Sequence, residues 1–133
     1  MLFTRECDYA IRIFRALADG ALVNVQEISQ MENLSVSITY KIARKLEKAG
    51  YIKSYRGTNG GYCLNTPLAE ITLYDVFITI DRDMFITSCT KDEFKCSRNK
   101  AEHPCMVHKE FMRLQKMIEQ ELKSKSLLDI MNG

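Results

Sequence analysis

The chain lacks the features of a membrane or secreted protein. Its 133 residues contain no apolar run near the roughly 20 residues that span a bilayer, and no signal-type segment opens the sequence. The net charge of +2 is too small to indicate a particular partner. We therefore expect one cytoplasmic domain, without membrane association and large enough to bury a core.

Signatures of catalysis are also lacking. No pair among the five cysteines has the C-x-x-C spacing of thiol redox enzymes, and no glycine-rich cofactor loop follows a predicted strand. No internal repeat or catalytic constellation is visible. The sequence therefore predicts a protein that is not an enzyme, and it gives little support to a thiol-based redox enzyme.

The first half of the chain has the pattern of three helices. Helical spacing and capping residues predict helices over 5–19, about 24–31 and about 35–49, and a glycine follows the first and the third as a stop signal. The apolar stripe of the first helix consists of Cys7, Ala10, Ile13, Phe14 and Leu17. In the third helix, Ile38, Ile42, Leu46 and Ala49 are expected to face the core, and Ser37, Tyr40, Lys41, Arg44 and Lys45 to face outward.

The period then changes from that of a helix to that of a strand. Two β-prone runs, 51–55 and 61–64, flank a turn that contains Asn59-Gly60, a strong hairpin signal. A capping box predicts a helix over 73–80, and an apolar face predicts a long helix over about 107–123. The predicted fold is mainly α with a small β-hairpin: a winged helix-turn-helix (1–66), a linker helix (67–88), a loop (89–106) and a long C-terminal dimerisation helix with a tail (107–133).

Positive charge is concentrated around the predicted third helix and hairpin. Residues 35–57 contain six basic residues and one acid, so the rest of the chain carries a net charge of −3. A helix with this outer surface can enter the major groove of DNA, with its lysines and arginines on phosphates. An ordinary basic helix exposed to solvent would show the same pattern, so both interpretations stay open on the pattern alone.

Three cysteines lie in a polar stretch, CTKDEFKCSRNKAEHPCMVH, that has no apolar face to bury them. Cys89, Cys96 and Cys105 are therefore unusual, because cysteine is among the most buried residue types. In a cytoplasmic protein such a cluster indicates metal or redox chemistry rather than disulfides, and an odd cysteine count fits a disulfide scaffold poorly. Cys7 and Cys63 are expected to be small core residues.

Several longer motifs closely resemble the Rrf family of bacterial winged-helix transcription regulators. They are KLEKAG at 45–50, RGTNGGY at 56–62 and ITLYDV at 71–76, with LFTRECDYAIR and SLLDIM near the two ends. The resemblance covers nearly the whole chain. It implies DNA binding, a homodimer and, as in the sensor members, an iron–sulfur cluster held by Cys89, Cys96 and Cys105.

The resemblance leaves the fourth cluster ligand open. His108 matches the histidine of IscR-like members, Asp8 matches a carboxylate that NsrR-like members donate from the partner subunit, and His103 is a weaker candidate. Asp8 has an alternative, an i,i+4 pair with Arg12. The cysteine gaps of six and eight residues are wider than in the best-known members, so 2Fe–2S and 4Fe–4S both remain open. Two alternatives to the cluster stay open. One is a structural zinc site formed by Cys89, Cys96, Cys105 and His108, and the other is a regulator that holds no metal and responds to a protein or small molecule.

The expected function is that of a homodimeric transcription regulator, acting as a repressor, that reads a palindromic operator in double-stranded DNA. The signal could be cluster supply, nitric oxide, oxygen or redox state. Candidate base contacts are Ser37, Thr39, Tyr40 and Lys41, candidate phosphate contacts are Arg44 and Lys45, and candidate wing contacts are Arg56, Asn59, Gly60 and Gly61.

Overall fold

The order of elements is that of a winged helix. The computed structural model describes residues 2–133. Its helices are α1 (Arg5–Ala16), α2 (Val25–Glu32), α3 (Val36–Lys48), α4 (Leu73–Asp81), α5 (Met106–Lys123) and α6 (Leu127–Asn132), with 3₁₀ turns at Leu68–Glu70 and Ser88–Thr90 and one hairpin of β1 (Ile52–Tyr55) and β2 (Gly61–Leu64). The two strands are antiparallel, with Ile52 opposite Leu64 and Tyr55 opposite Gly61. The predicted mainly α fold with a small hairpin is confirmed.

The core forms where α1, α2, α3 and α4 meet under the hairpin. All five residues of the predicted α1 stripe are buried, and Phe14 meets the Tyr51 ring edge-on at a centroid distance of 6.1 Å. Full burial of a side chain such as Phe14 stabilises the fold by about 1.5–3 kcal/mol. Thr4, Asn24 and Ser35 each accept a hydrogen bond from a backbone N–H in the first turn of the helix that they precede, so the predicted caps of α1 and α2 are present.

Two details of α3 differ from the prediction. Ala49 is exposed instead of inward-facing, because it is the C-cap of the helix and lies beyond the last turn that packs on α1. Thr39 is fully buried, where its hydroxyl donates to the Ser35 carbonyl oxygen at 2.8 Å and lies 3.2 Å from the Ser29 hydroxyl. A short polar side chain is therefore accommodated in the core because its hydrogen bonds are satisfied there.

The C-terminal tail folds back onto the body as α6, which was not predicted. Ser126 and Asp129 form a capping box at its start. Leu127 is fully buried, and its N–H donates to the Ile71 carbonyl oxygen at 2.7 Å. The signal was present in the sequence, since Ser-x-x-Asp before an apolar run is a helix-start pattern.

The long helix α5 is the least buried element of the chain. Among its 18 residues only Gln115 is buried. Met106, Val107 and Met117 are 67%, 60% and 50% exposed, although they are apolar. No helix within residues 2–133 is long and apolar enough to cross a bilayer.

Candidate nucleic-acid interface and cysteine loop

The outer surface of α3 presents polar and aromatic side chains to solvent. Ser37, Tyr40 and Arg44 are exposed, as predicted for a helix that enters a groove. The Arg44 guanidinium lies over the Tyr40 ring, 6.0 Å from its centroid. Arg44 forms no ion pair with any residue in 2–133, so its N–H groups can reach a phosphate. Thr39 was wrongly assigned to base contacts, because its buried side chain faces Ser29 and not the solvent.

A polar cleft of about 370 Å³ lies between α3, the start of α2 and the hairpin. Tyr40 of α3 and Arg56 of the hairpin turn both line it, so the structure brings together two residues that were assigned to separate contacts. Asn24 and Gln26 also line the cleft and were missed from the sequence, where Asn24 was identified only as a cap. Asn59 is exposed at the tip of the turn.

The two wing glycines are required by the hairpin itself. A Cβ at Gly60 would lie 2.2 Å from the Tyr55 carbonyl oxygen, and one at Gly61 would lie 2.4 Å from the Val23 carbonyl oxygen. Val23 and Tyr62 exchange two backbone hydrogen bonds of 2.8 and 2.9 Å, which hold the hairpin against the segment before α2. Both glycines therefore allow close backbone approach within the protein.

The two lysines on the α1-facing side of α3 are already paired. The Lys45 Nζ donates to Oε2 of Glu6 at 2.7 Å, and Lys41 donates to the other oxygen of the same carboxylate. The hydrogen bond from Lys41, which has the larger effect, and the one from Lys45 both stabilise the Glu6 carboxylate and hold its pKa below the usual value. Lys41 and Lys45 are thus near the predicted DNA surface, but they share an intramolecular partner.

The three loop cysteines are half-buried free thiols. Cys89 lies in the 3₁₀ turn Ser88–Thr90, Cys96 lies in the irregular segment that follows, and Cys105 is the N-cap of α5. The Cys105 Sγ accepts a hydrogen bond from the His108 N–H at 3.5 Å, and its own N–H donates to Asn99 Oδ1 at 2.9 Å. The third cysteine is therefore fixed to the first turn of α5.

His108 and Cys89 face the same small cleft, although 18 residues separate them. The cleft has a volume of about 260 Å³ and is also lined by Thr90, Asn99 and Met112. In residues 2–133, the Nδ1 of His108 is the only buried side-chain nitrogen or oxygen without a hydrogen-bond partner. Leaving such an atom unpaired costs about 1–3 kcal/mol, which a bound ligand would recover.

The described loop does not gather all of the predicted ligands. No group of three His, Cys, Asp or Glu side chains in residues 2–133 is placed so that it could hold a metal ion. Neither Cys96 nor Cys105 lines the cleft that Cys89 and His108 share. The thiols and the unpartnered imidazole nitrogen of His108 are donor types that fit a centre with thiolate and histidine ligands. His103 is exposed and does not line this cleft.

Asp8 occupies the position expected for its structural alternative. It is exposed on α1 and pairs with Arg12 at 3.0 Å between Nε and Oδ2, one helical turn away. It does not line the cleft of Cys89 and His108.

The other two cysteines differ from each other. Cys7 is fully buried as predicted, and its Sγ donates to Asp81 Oδ2 at 3.1 Å. Burial, together with this hydrogen bond, raises the pKa of Cys7 to about 11, so it stays a protonated thiol. The core assignment of Cys63 is wrong: it lies half-exposed opposite Lys53, because the alternation of β2 turns its neighbour Tyr62 inward instead.

Gln115 of α5 forms hydrogen bonds with the segment around Cys89. Its Oε1 accepts the Ile86 N–H at 2.9 Å and lies 3.5 Å from the Thr90 hydroxyl, and its Nε2 donates to the Met84 carbonyl oxygen. Nε2 also donates to Glu119 at 2.8 Å. This residue was missed, because a single glutamine on a helix carries no sequence signal.

Known regulators are similar to the chain over most of its length. A protein of Haemophilus influenzae named as an HTH-type transcriptional regulator is 31% identical over 115 residues, which are 86% of this chain and 74% of that protein. The HTH-type transcriptional regulator IscR of Photorhabdus laumondii is 29% identical over 139 aligned positions, covering 100% of this chain and 80% of that protein.

A solved structure and a family model agree with these relatives. The structure of CymR, the global cysteine regulator of B. subtilis, superposes with a TM-score of 0.75 at 23% identity and covers 96% of this chain and 94% of that one. At that identity the likeness shows the winged-helix fold. The model of the Rrf2 family, described as iron-dependent transcriptional regulator, matches residues 3–133. The chain therefore belongs to the Rrf2 family and is a DNA-binding transcriptional regulator, not an enzyme.

Proposed function

We propose that this regulator is a homodimer whose cysteine loop holds an iron–sulfur cluster that sets its affinity for a palindromic operator. The observation that carries the cluster proposal is the buried, unpartnered Nδ1 of His108, a residue that lines the same cleft as Cys89. The fold, the basic α3 and the hairpin support the DNA part, and the exposed apolar face of α5 supports the dimer.

In this proposal α3 lies in the major groove and the hairpin touches the adjoining backbone. Two-fold symmetry would place two α3 helices in successive grooves, which is why the operator is expected to be palindromic. Ser37 and Tyr40 are proposed to contact base edges, and Arg44 a phosphate. Arg56 and Asn59 are proposed to act from the hairpin, with Gly60 and Gly61 shaping its turn.

An Arg44→Ala variant is expected to bind all DNA sequences about 5- to 10-fold more weakly and to lower the slope of log affinity against log salt by about one, since one phosphate contact is lost. The measurement is fluorescence anisotropy across a salt series. Lys125→Ala, which removes an exposed positive charge between α5 and α6, is the control and should leave the slope unchanged. An unchanged slope for Arg44→Ala would remove this residue from the interface.

The exposed face of α5 is proposed to pair with α5 of a second copy. Met106, Val107, Met112 and Met117 are exposed on this one helix, and Phe111 and Leu114 are half-buried, whereas Ile118 and Leu122 pack against the core of the same chain. Soluble monomers rarely leave so extended an apolar surface in water. Dimerisation would cover it and fix the spacing of the two α3 helices.

Cys89, Cys96, Cys105 and His108 are the residues that would hold the cluster, with Asp8 of the partner subunit as the alternative fourth ligand. A bound iron–sulfur cluster supplies a group that responds to oxygen, nitric oxide and redox state. Thiolates are its preferred ligands, and a metal centre can provide the ordering energy that a polar loop lacks. The wide cysteine gaps are compatible with either 2Fe–2S or 4Fe–4S.

The test is purification without air, followed by iron, sulfide and zinc analysis and a visible spectrum. A brown protein with equal amounts of iron and sulfide supports the proposal. A colourless protein that contains zinc, or no metal, contradicts it. The zinc outcome would assign the same residues to a structural site, although zinc sites usually space cysteine pairs by about two to four residues.

Both ends of the cysteine loop are anchored on α5, which gives the cluster a route to the dimer. Cys105 caps α5, and Gln115 holds the segment that leads to Cys89. Ordering or releasing the loop would therefore act on the helix that sets the spacing of the DNA-binding ends. A coupling of roughly 1–3 kcal/mol would change DNA affinity about 5- to 150-fold.

Replacing Gln115 with leucine is expected to lower the free energy of unfolding by about 1–3 kcal/mol, because the Ile86 N–H and the Met84 carbonyl would lose their buried partner. Urea unfolding measures the loss. Gln120→Leu is the matched control, since it makes the same change at an exposed position of the same helix. Equal stability of the two variants would show that the Gln115 bonds contribute nothing net.

A further inference from the structure

Glu6 is the acidic residue of α1 that faces α3. Its side chain is 29% exposed and lies between the ammonium groups of Lys41 and Lys45, which are 55% and 37% exposed. Lys41 and Lys45 are one helical turn apart, so a single carboxylate can reach both. The two ion pairs join residues that are 35 and 39 positions apart in the sequence, so they are tertiary contacts.

The position of Glu6 is held by its neighbours in the first turn of α1. The adjacent Cys7 is fully buried and donates to Asp81 at the end of α4. Thr4, the cap of α1, also donates to Asp81, at 3.1 Å. Because the turn is fixed on both sides, Glu6 cannot leave the lysines by a movement of its backbone alone.

We propose that Glu6 is a specificity-determining residue that weakens sequence-independent DNA binding by occupying Lys41 and Lys45. The inference rests on the proposed function, in which α3 lies at DNA, and it adds that Lys41 and Lys45 of that helix can each reach a phosphate. A phosphate that approaches either lysine must compete with the carboxylate and is repelled by its charge. The hydrogen bonds and ion pairs of Glu6 within residues 2–133 go to Lys41 and Lys45 and not to Ser37, Tyr40 or Arg44, so the contacts proposed for those three residues do not depend on it.

The effect on specificity follows from the different roles of phosphate contacts and base contacts. Phosphate contacts supply nearly all of the affinity for unrelated sequences, whereas base contacts distinguish the operator from them. A carboxylate beside the lysines therefore acts as a repulsive element against the wrong sites. The single acid within residues 35–57, Glu47, instead accepts a hydrogen bond from Ser54 of the hairpin at 2.5 Å.

The experiment compares the full-length protein with Glu6→Gln on a non-palindromic duplex of about 25 base pairs, between about 50 and 200 mM salt. We expect Glu6→Gln to bind roughly 5- to 30-fold more tightly at the lowest salt and to steepen the salt slope by about one to two. Glu110→Gln is the matched control, because it removes the same charge from an ion pair with Arg113 on α5. It should change neither quantity.

A double-mutant cycle separates this inference from a structural effect and from the proposed function. In a Lys41→Ala, Lys45→Ala background, Glu6→Gln should give a much smaller gain in affinity, since only the direct repulsion of phosphates by the carboxylate is then removed. Equal gains in both backgrounds, or no gain in the wild-type background, would overturn the inference. If the lysine variant binds the duplex as tightly as the wild-type protein, the proposed role of the lysines fails as well. If it binds more weakly while Glu6→Gln has no effect, only the role of Glu6 fails.

Discussion

Cys105→Ser is expected to abolish iron and sulfide binding in protein prepared without air, while the fold is retained. A serine hydroxyl is a far weaker ligand for iron than a thiolate. It is, however, a good helix N-cap, so it can take over the hydrogen bond that Cys105 Sγ accepts from the His108 N–H. The loss of metal would therefore not follow from a loss of α5. Elemental analysis and circular dichroism of the same sample measure both.

Two further variants test the fourth ligand. His108→Ala should remove or strongly reduce the cluster, because it deletes the imidazole beside Cys89. Asp8→Ala should retain it, since Asp8 is paired with Arg12 on α1. The reverse pattern would assign the fourth position to Asp8 of the partner subunit. Wild-type amounts of iron and sulfide in Cys105→Ser would contradict the proposed ligand set.

Gly61→Ala is expected to lower the free energy of unfolding by about 2–4 kcal/mol, by combining backbone overlap with the loss of buried hydrogen bonds. The added methyl would lie 2.4 Å from the Val23 carbonyl oxygen and 2.8 Å from the Asn24 nitrogen. Both are backbone atoms and cannot turn away. Relief requires the hairpin to separate from Val23, which breaks the two hydrogen bonds between Val23 and Tyr62.

The measurement is urea unfolding of Gly61→Ala, with Gly20→Ala as its control. A Cβ at Gly20 meets nothing within 4 Å, so only its positive φ of 77° carries a cost, about 1–2 kcal/mol. Gly61→Ala should also weaken DNA binding, because the displaced hairpin carries Arg56. Equal stability of the two variants would mean that the hairpin does not pack on Val23 as described.

The elements that could be predicted from the sequence are those with local signals. The caps at Thr4 and Asn24, the capping box of α4 and the Asn59-Gly60 turn depend on residues within a few positions of each other, and each is present. The prediction of which residues face the core was wrong at two positions. Ala49 and Cys63 were placed inside by spacing or residue type, whereas their exposure depends on where the neighbouring elements end and turn.

The functional surfaces were predicted only where the chemistry of single residues shows in the sequence. The exposure of Tyr40 and Arg44 follows from the period of α3. The pairing of Lys41 and Lys45 with Glu6, and the bonds of Gln115 to the segment 84–90, join residues about 25 to 40 positions apart and have no local signature. The cleft shared by Cys89 and His108 depends in the same way on how the loop returns to α5.

The central claim, that an iron–sulfur centre in the cysteine loop controls DNA binding, is tested most directly by one affinity measurement. Protein purified without air would be titrated with an operator duplex selected from a random library, before and after its iron is removed by a chelator. We predict a difference of about 5- to 150-fold between the two forms, with Cys96→Ala matching the iron-free form. Equal affinities of iron-loaded and iron-free protein would contradict the claim.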